Sequence, residues 1–226
     1  MTRAPRIAAT VLASEVAGLG ERLVAVLPAG ADWVHVDVMD PHDVPNLTTG
    51  PLACAGLRSL TDATLDVHLM MKPVDVLVPA LARAGADLVT FHPEATSGVA
   101  RSVALVKAHG CQVGLALNPA TPLTVLDGVL GALDAVVVLF VAPTVAARIS
   151  APAPFARIRA VRERIAATGR PITLVVDGSV TPENAAALCL AGADVLVARC
   201  GLRAGEWAAD VAALEACAAR RCRLDA

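Results

Sequence analysis

The segment Ala31-Asp32-Trp33-Val34-His35-Val36-Asp37-Val38-Met39-Asp40 decides how this chain is read. Its apolar run has the character of a buried β-strand, and side chains alternate faces along a strand, so His35 and Asp37 project from the same side. Two further apolar runs end in the same fashion, in Asp66-Val67-His68 and Val176-Asp177-Gly178. Two imidazoles (His35, His68) and two carboxylates (Asp37, Asp177) meeting at one end of a parallel sheet would hold a divalent metal. They would also set two bases where protons can be moved to and from a carbon acid. The pattern is that of an enzyme.

Outward from these segments, strand-like runs alternate with helical periodicity. The strands are expected at Ile7–Leu12, Trp33–Val38, Thr64–Leu69, Asp87–Phe91, Gln112–Leu117, Ala135–Val141, Ile172–Val176 and Asp194–Ala198. Helical spacing marks Glu15–Leu27, Pro73–Ala84, Val99–His109, Pro154–Ala167 and Pro182–Ala191. Three parallel phrases, Ala29-Gly30-Ala31-Asp32, Ala84-Gly85-Ala86-Asp87 and Ala191-Gly192-Ala193-Asp194, put a glycine at a helix cap and start the next strand with Ala-Asp. Eight near-continuous Val/Ile/Leu strands separated by helices predict a parallel sheet covered on its outer face, and eight closes a barrel. A single-domain α/β TIM (β/α)8 barrel over residues 1–226 is expected, with the active face at the carboxyl ends of the strands.

Composition narrows the function classes. Of 226 residues 56% are hydrophobic, with two Trp, three Phe and no Tyr, so small and branched side chains must fill the core. A net charge of −2 without a basic cluster, and few aromatics for base stacking, argue against nucleic acid. The longest apolar stretch, residues 135–147, is broken by Pro143 and falls short of the roughly 20 residues of a membrane span. The N-terminus lacks the pattern of a secretory signal, and six cysteines without a C-x-x-C pair read as small hydrophobes of a reduced, cytoplasmic setting.

At its polar strand ends the chain resembles the ribulose-phosphate 3-epimerase family. The resemblance runs from Ile7 to Leu202 and rests on residues 31–40, Val44-Pro45-Asn46, Leu65-Asp66-Val67-His68-Leu69-Met70 and Leu117-Asn118-Pro119-Ala120-Thr121-Pro122. It implies a metal-dependent epimerase acting beside a ketone in a pentulose phosphate or related sugar, with His35, Asp37, His68 and Asp177 as ligands. The ion would be zinc first, with iron, manganese or cobalt as alternatives. Asp37 and Asp177 would exchange protons with opposite faces of the carbon through an enediolate. Met39 and Met70 match methionines lining that pocket, a third is Leu139 here, and Thr10 stands for a substrate-contacting Ser. His68 also counts among the substrate contacts. Barrels of this family commonly associate, so a homo-oligomer is expected.

The departures concern phosphate. The family's glycine-rich loop after the sixth strand reads Ala142-Pro143-Thr144-Val145-Ala146-Ala147-Arg148, its Gly-Gly after the seventh reads Gly178-Ser179, and its Gly-Ser after the eighth reads Arg199-Cys200. The family's Gly after Met-Asp is Pro41, and its loop Phe is Asp43. Either Arg148 and Arg199 replace backbone amides by side-chain cations, or the enzyme takes a different or unphosphorylated ketose. Gly178, Ser179, Arg199 and Cys200 are the substrate-binding candidates at this end. A catalytically silent metal-binding barrel is a further alternative. So is Schiff-base chemistry through Lys72, although the third strand lacks the Asp-x-Lys-x-x-Asp signature that related barrels use. His42, His92 and His109 read as structural, with His92 also placed to support the metal site.

Overall fold

The computed structural model describes residues 5–10, 18–40, 49–140, 153–198, 209, 211–214 and 216. Eight parallel strands close into a barrel in chain order, β8 pairing with β1. They are β1 (Arg6–Thr10), β2 (Trp33–Met39), β3 (Thr64–Met70), β4 (Leu88–Phe91), β5 (Gln112–Leu117), β6 (Ala135–Leu139), β7 (Thr173–Asp177) and β8 (Val195–Ala198). Around them lie α1 (Leu19–Val26), α2 (Pro51–Arg58), α3 (Val78–Arg83), α4 (Val99–Ala108), α5 (Ala153–Ala167) and α6 (Pro182–Leu190). All eight expected strands form.

The helices differ in detail. Of the expected 73–84 helix, Val74–Val76 is a separate 3-10 turn and α3 begins at Val78, with Pro79 in its first turn. Helix α2 was not foreseen, since it is short, contains Gly56 and buries only Cys54 and Leu57. No α-helix joins β5 to β6: Pro122 precedes one 3-10 turn, and Gly128, with φ of 80°, separates it from a second.

Alternation along the strands sorts the apolar residues into two layers. Inward positions form a small core that includes Ala8, Trp33, Ala116, Val137, Val175 and Val197. Outward positions such as Val36, Val67, Leu115 and Val176 join the inward faces of the helices in the larger core. Burial on both faces explains the lack of polar alternation over most of each strand. The buried polar exceptions within the strands, His35, Asp37, Asp66, His68 and Thr90, are all inward-facing on β2, β3 and β4, and half-buried Asp177 joins them from β7.

The three Gly-Ala-Asp phrases end their helices as expected: Gly30, Gly85 and Gly192 have φ of 111°, 90° and 120°. The Ala after each donates its N–H back to Val26, Leu81 and Leu188, closing a left-handed cap. The Asp that follows in each phrase, and Asp134 just before β6, fasten the barrel foot. The carboxylate of Asp32 accepts the N–H of Ile7, Asp87 that of Leu65, Asp134 that of Val113 and Asp194 that of Leu174, at 2.8–2.9 Å. One such clamp serves each successive strand pair. Arg58, Lys107 and Arg162, from α2, α4 and α5, pair with the latter three carboxylates.

Candidate metal and catalytic site

Parallel register brings the inward polar residues together. His35 stands beside Asp66, Asp37 beside His68, Met39 beside Met70, and Thr10 beside His35. Across the barrel, Asp177 ends β7 opposite Leu139 of β6. One donor atom from each of His35, Asp37, His68 and Asp177 lies within 4.8 Å of the others. His35 Nε2 is 3.2 Å from Asp37 Oδ1 and 3.9 Å from Asp177 Oδ2. His68 Nδ1 is 3.5 Å from Asp37 Oδ1 and 3.7 Å from Asp177 Oδ2. The sequence-derived cluster therefore assembles.

The donor atoms fit a cation. His35 Nε2 and His68 Nδ1 are buried without a hydrogen-bond partner, and they converge on the Asp37 and Asp177 carboxylates. Buried polar atoms ordinarily have partners, and one divalent ion would serve both nitrogens. Two imidazole nitrogens and two carboxylates suit zinc and its first-row neighbours. The cluster can hold a divalent metal.

A second tier of buried polar groups fixes the two rings. Asp66, fully buried, accepts a hydrogen bond from His35 Nδ1 at 2.8 Å, which places the proton on Nδ1 and leaves Nε2 free to face the cluster. Thr90 Oγ1 donates to the other Asp66 oxygen at 3.3 Å. Gly114, beside Thr90 in β5, leaves the space that this threonine occupies. His68 Nε2 lies 2.9 Å from Nε2 of His92, which is buried just beyond β4. Sequence reading assigned no role to Asp66, although its two-residue spacing from His68 puts both on the same face.

Charge follows from this geometry. Burial on its own would strip the proton from each imidazole, but Asp66 and Asp37 reverse it at His35, holding that ring well above its ordinary value. Burial likewise opposes the proton on His68, and Asp177 and Asp37 hold it at about 9. For Asp37 burial raises the carboxyl, and the two imidazoles outweigh it, keeping it well below the usual carboxylate range. His92 goes the other way: burial first, then His68 and Lys72, push it down to about 3.

The remaining candidates divide. Met70 is buried, while Met39 and Thr10 are partly exposed; all three take inward positions in register with the metal-type residues. Gly178 and Ser179 form the turn after β7 with φ of 88° and 53°, and Ser179 accepts a hydrogen bond from Asn184 Nδ2 of α6. Arg148, Arg199 and Cys200, with Pro41, His42, Asp43 and the 142–147 loop, lie outside the described residues. Lys72 is exposed, without the desolvated surroundings that a Schiff-base amine needs.

Comparison with known proteins identifies the family. The profile of the ribulose-phosphate 3 epimerase family matches residues 6–202. The chain is 48% identical over 200 residues to ribulose-phosphate 3-epimerase 1 of Cupriavidus necator, covering 87% of this chain and 83% of that protein. It is 47% identical over 193 residues to ribulose-phosphate 3-epimerase of Escherichia coli, covering 85% and 86%. Among solved structures, KGPDC from Streptococcus mutans in complex with D-R5P superposes with a TM-score of 0.77 at 16% identity, covering 96% of this chain and 99% of that one. A 3-hexulose-6-phosphate synthase gives 0.69 at 20% identity, covering 94% and 98%. The last two likenesses speak to the fold alone.

Proposed function

Since the chain belongs to the ribulose-phosphate 3-epimerase family, we propose that it inverts the carbon beside the ketone of a pentulose phosphate, with Asp37 and Asp177 as the two proton-transfer groups. The observation that carries this is their placement. The two carboxylates come from β2 and β7, on different sides of a closed barrel, yet reach the same pair of imidazoles. A carbon held between them is exposed to one acid on each face. One removes the proton, the other returns one to the far side, and the centre is inverted.

His35, Asp37, His68 and Asp177 are the proposed ligands of one divalent ion, zinc first, with iron, manganese or cobalt in its place. Held by these four residues, the ion would supply Lewis-acid stabilisation of negative charge on a substrate oxygen. Asp66 holds His35 in the tautomer that ligation requires. Met39, Met70 and Leu139, inward at the mouth, would keep water from the planar intermediate without offering a competing proton. Thr10 would contact the substrate through its hydroxyl. The Gly178-Ser179 turn would meet its far end; in sequence, Arg148, Arg199 and Cys200 occur where the family has its phosphate-binding segments. One barrel per chain, association of barrels and a cytoplasmic setting belong to the same proposal.

Those loop replacements favour a second reading, the same chemistry on a different or unphosphorylated ketose. Both are tested by incubating the Zn- or Mn-loaded protein with ribulose 5-phosphate and with free ribulose in deuterated water. Proton NMR should show loss of the signal at the carbon beside the ketone and appearance of the epimer. Exchange on the phosphate ester alone supports the first reading, and exchange on the free sugar supports the second. No exchange on any ketose sinks both.

A further inference from the structure

We infer that His92 is a positioning residue for the metal site: its Nε2 accepts the Nε2–H of His68 and thereby fixes the tautomer and ring orientation in which His68 presents Nδ1 to an ion. This rests on the metal reading above. The argument is one of donor accounting. His68 turns Nδ1 toward Asp37 and Asp177, so ligation uses that nitrogen and a neutral ring must carry its proton on Nε2. The ring is fully buried, and that N–H needs an acceptor. The atom it faces, at 2.9 Å, is His92 Nε2. The acceptor role therefore falls to His92 as a neutral ring protonated on Nδ1.

The surroundings agree with that assignment. The two rings stack, with centroids 5.0 Å apart and planes 28° apart, so His92 also limits the rotation of His68. Its own Nδ1 is buried without a hydrogen-bond partner and points toward Glu94, whose Oε2 lies 4.0 Å away. Glu94 is held from its other side by the Thr121 hydroxyl. The two imidazole ligands thus have unlike supports. His35 leans on the carboxylate of Asp66, and His68 on a neutral imidazole. Strand β4, which supplies no ligand, contributes by this contact.

Histidine-labelled wild type loaded with Zn tests the inference by long-range 1H–15N NMR. The expected spectrum has His68 protonated on Nε2 and His92 protonated on Nδ1, with His92 Nε2 an unprotonated acceptor. Chelator competition supplies the second readout. His92→Phe, similar in bulk but without an acceptor, is expected to bind Zn about 10–100-fold more weakly. His92→Gln, whose amide oxygen can reach the His92 Nε2 position, is expected to restore most of the affinity. A proton on His92 Nε2 in the Zn-loaded protein, or wild-type affinity in His92→Phe, overturns the inference. The NMR result decides even if that variant fails to fold. Should wild type take up neither Zn, Mn nor Co, the metal reading falls and this inference with it. Uptake of Zn by wild type with the wrong His92 tautomer removes the inference alone.

Discussion

Gly114→Ala reaches the metal site from three strands away. A Cβ on Gly114 would lie 3.1 Å from Thr90 Cβ and 3.3 Å from its Cγ2, and closer still to its hydroxyl oxygen. Thr90 is fully buried and its hydroxyl serves Asp66, which in turn holds His35. The new methyl must push Thr90 aside, and overpacking of this kind costs about 1–3 kcal/mol. Removing a flexible glycine from the unfolded chain offsets roughly 0.4–1 kcal/mol of that. A displaced hydroxyl also leaves a buried Asp66 oxygen short of a donor, a further cost of about 1–3 kcal/mol. A net loss of roughly 2–4 kcal/mol is expected by urea unfolding of the metal-free protein, together with weaker Zn binding. Thr90→Ala should relieve the contact, so the double variant should be more stable than the sum of the single effects implies. A Gly114→Ala protein within about 0.5 kcal/mol of wild type, or strict additivity in the double variant, would refute the chain of contacts from β5 to His35.

Four other outcomes follow from the same geometry. With no metal bound, His68 keeps its proton up to about pH 9 against an ordinary 6.5, so loading must expel it. His35 has a proton to lose as well, so Zn affinity measured by chelator competition should rise with pH through about 9, and a pH-independent affinity would contradict this. The same raised value is a stability term of the metal-free protein: it is complete below pH 6.5 and lost as pH climbs through 9. Melting temperature in chelator should therefore fall across that window, and a rise would count against the assignment. Asp66→Ala should weaken Zn binding about 10–100-fold while Asp66→Asn, with its amide oxygen toward His35, loses less; equal losses would deny Asp66 its tautomer role. At the foot, Gly85→Ala must strain a φ of 90° and place a Cβ 2.5 Å from Arg58 Cγ, so about 1–3 kcal/mol of destabilisation is expected by denaturant unfolding with little change in Zn affinity.

The metal cluster was legible because strand alternation converts sequence spacing directly into geometry. His35-x-Asp37 and Asp66-x-His68 share faces, and only inward positions at strand ends break the apolar runs. The same rule would have given Asp66 its partner, since parallel register sets it beside His35. His92 is harder to read, because it lies one residue past β4, where no period applies, and a lone histidine in a loop carries no directional signal. Helix α2 escaped for want of material: eight residues around a glycine, two of them buried, give no amphipathic pattern. The Gly-Ala-Asp phrases revealed their caps in sequence, but not that each Asp reaches across to the N–H of the strand before it. That contact depends on tertiary register.

The four clamps at the foot give the barrel a hidden fourfold plan, each quarter being two strands tied by one aspartate. The chemistry does not respect it. The first quarter gives His35 and Asp37, the second Asp66, His68 and His92, the fourth Asp177, and the third only small and apolar side chains around Gly114, Ala116 and Val137. Symmetry persists where the cylinder must close and lapses where a ligand must be gripped. A ring of four like quarters would present the same groups in every direction; with polar groups drawn from three quarters and apolar ones from the fourth, a small molecule at the mouth meets different chemistry on its different sides.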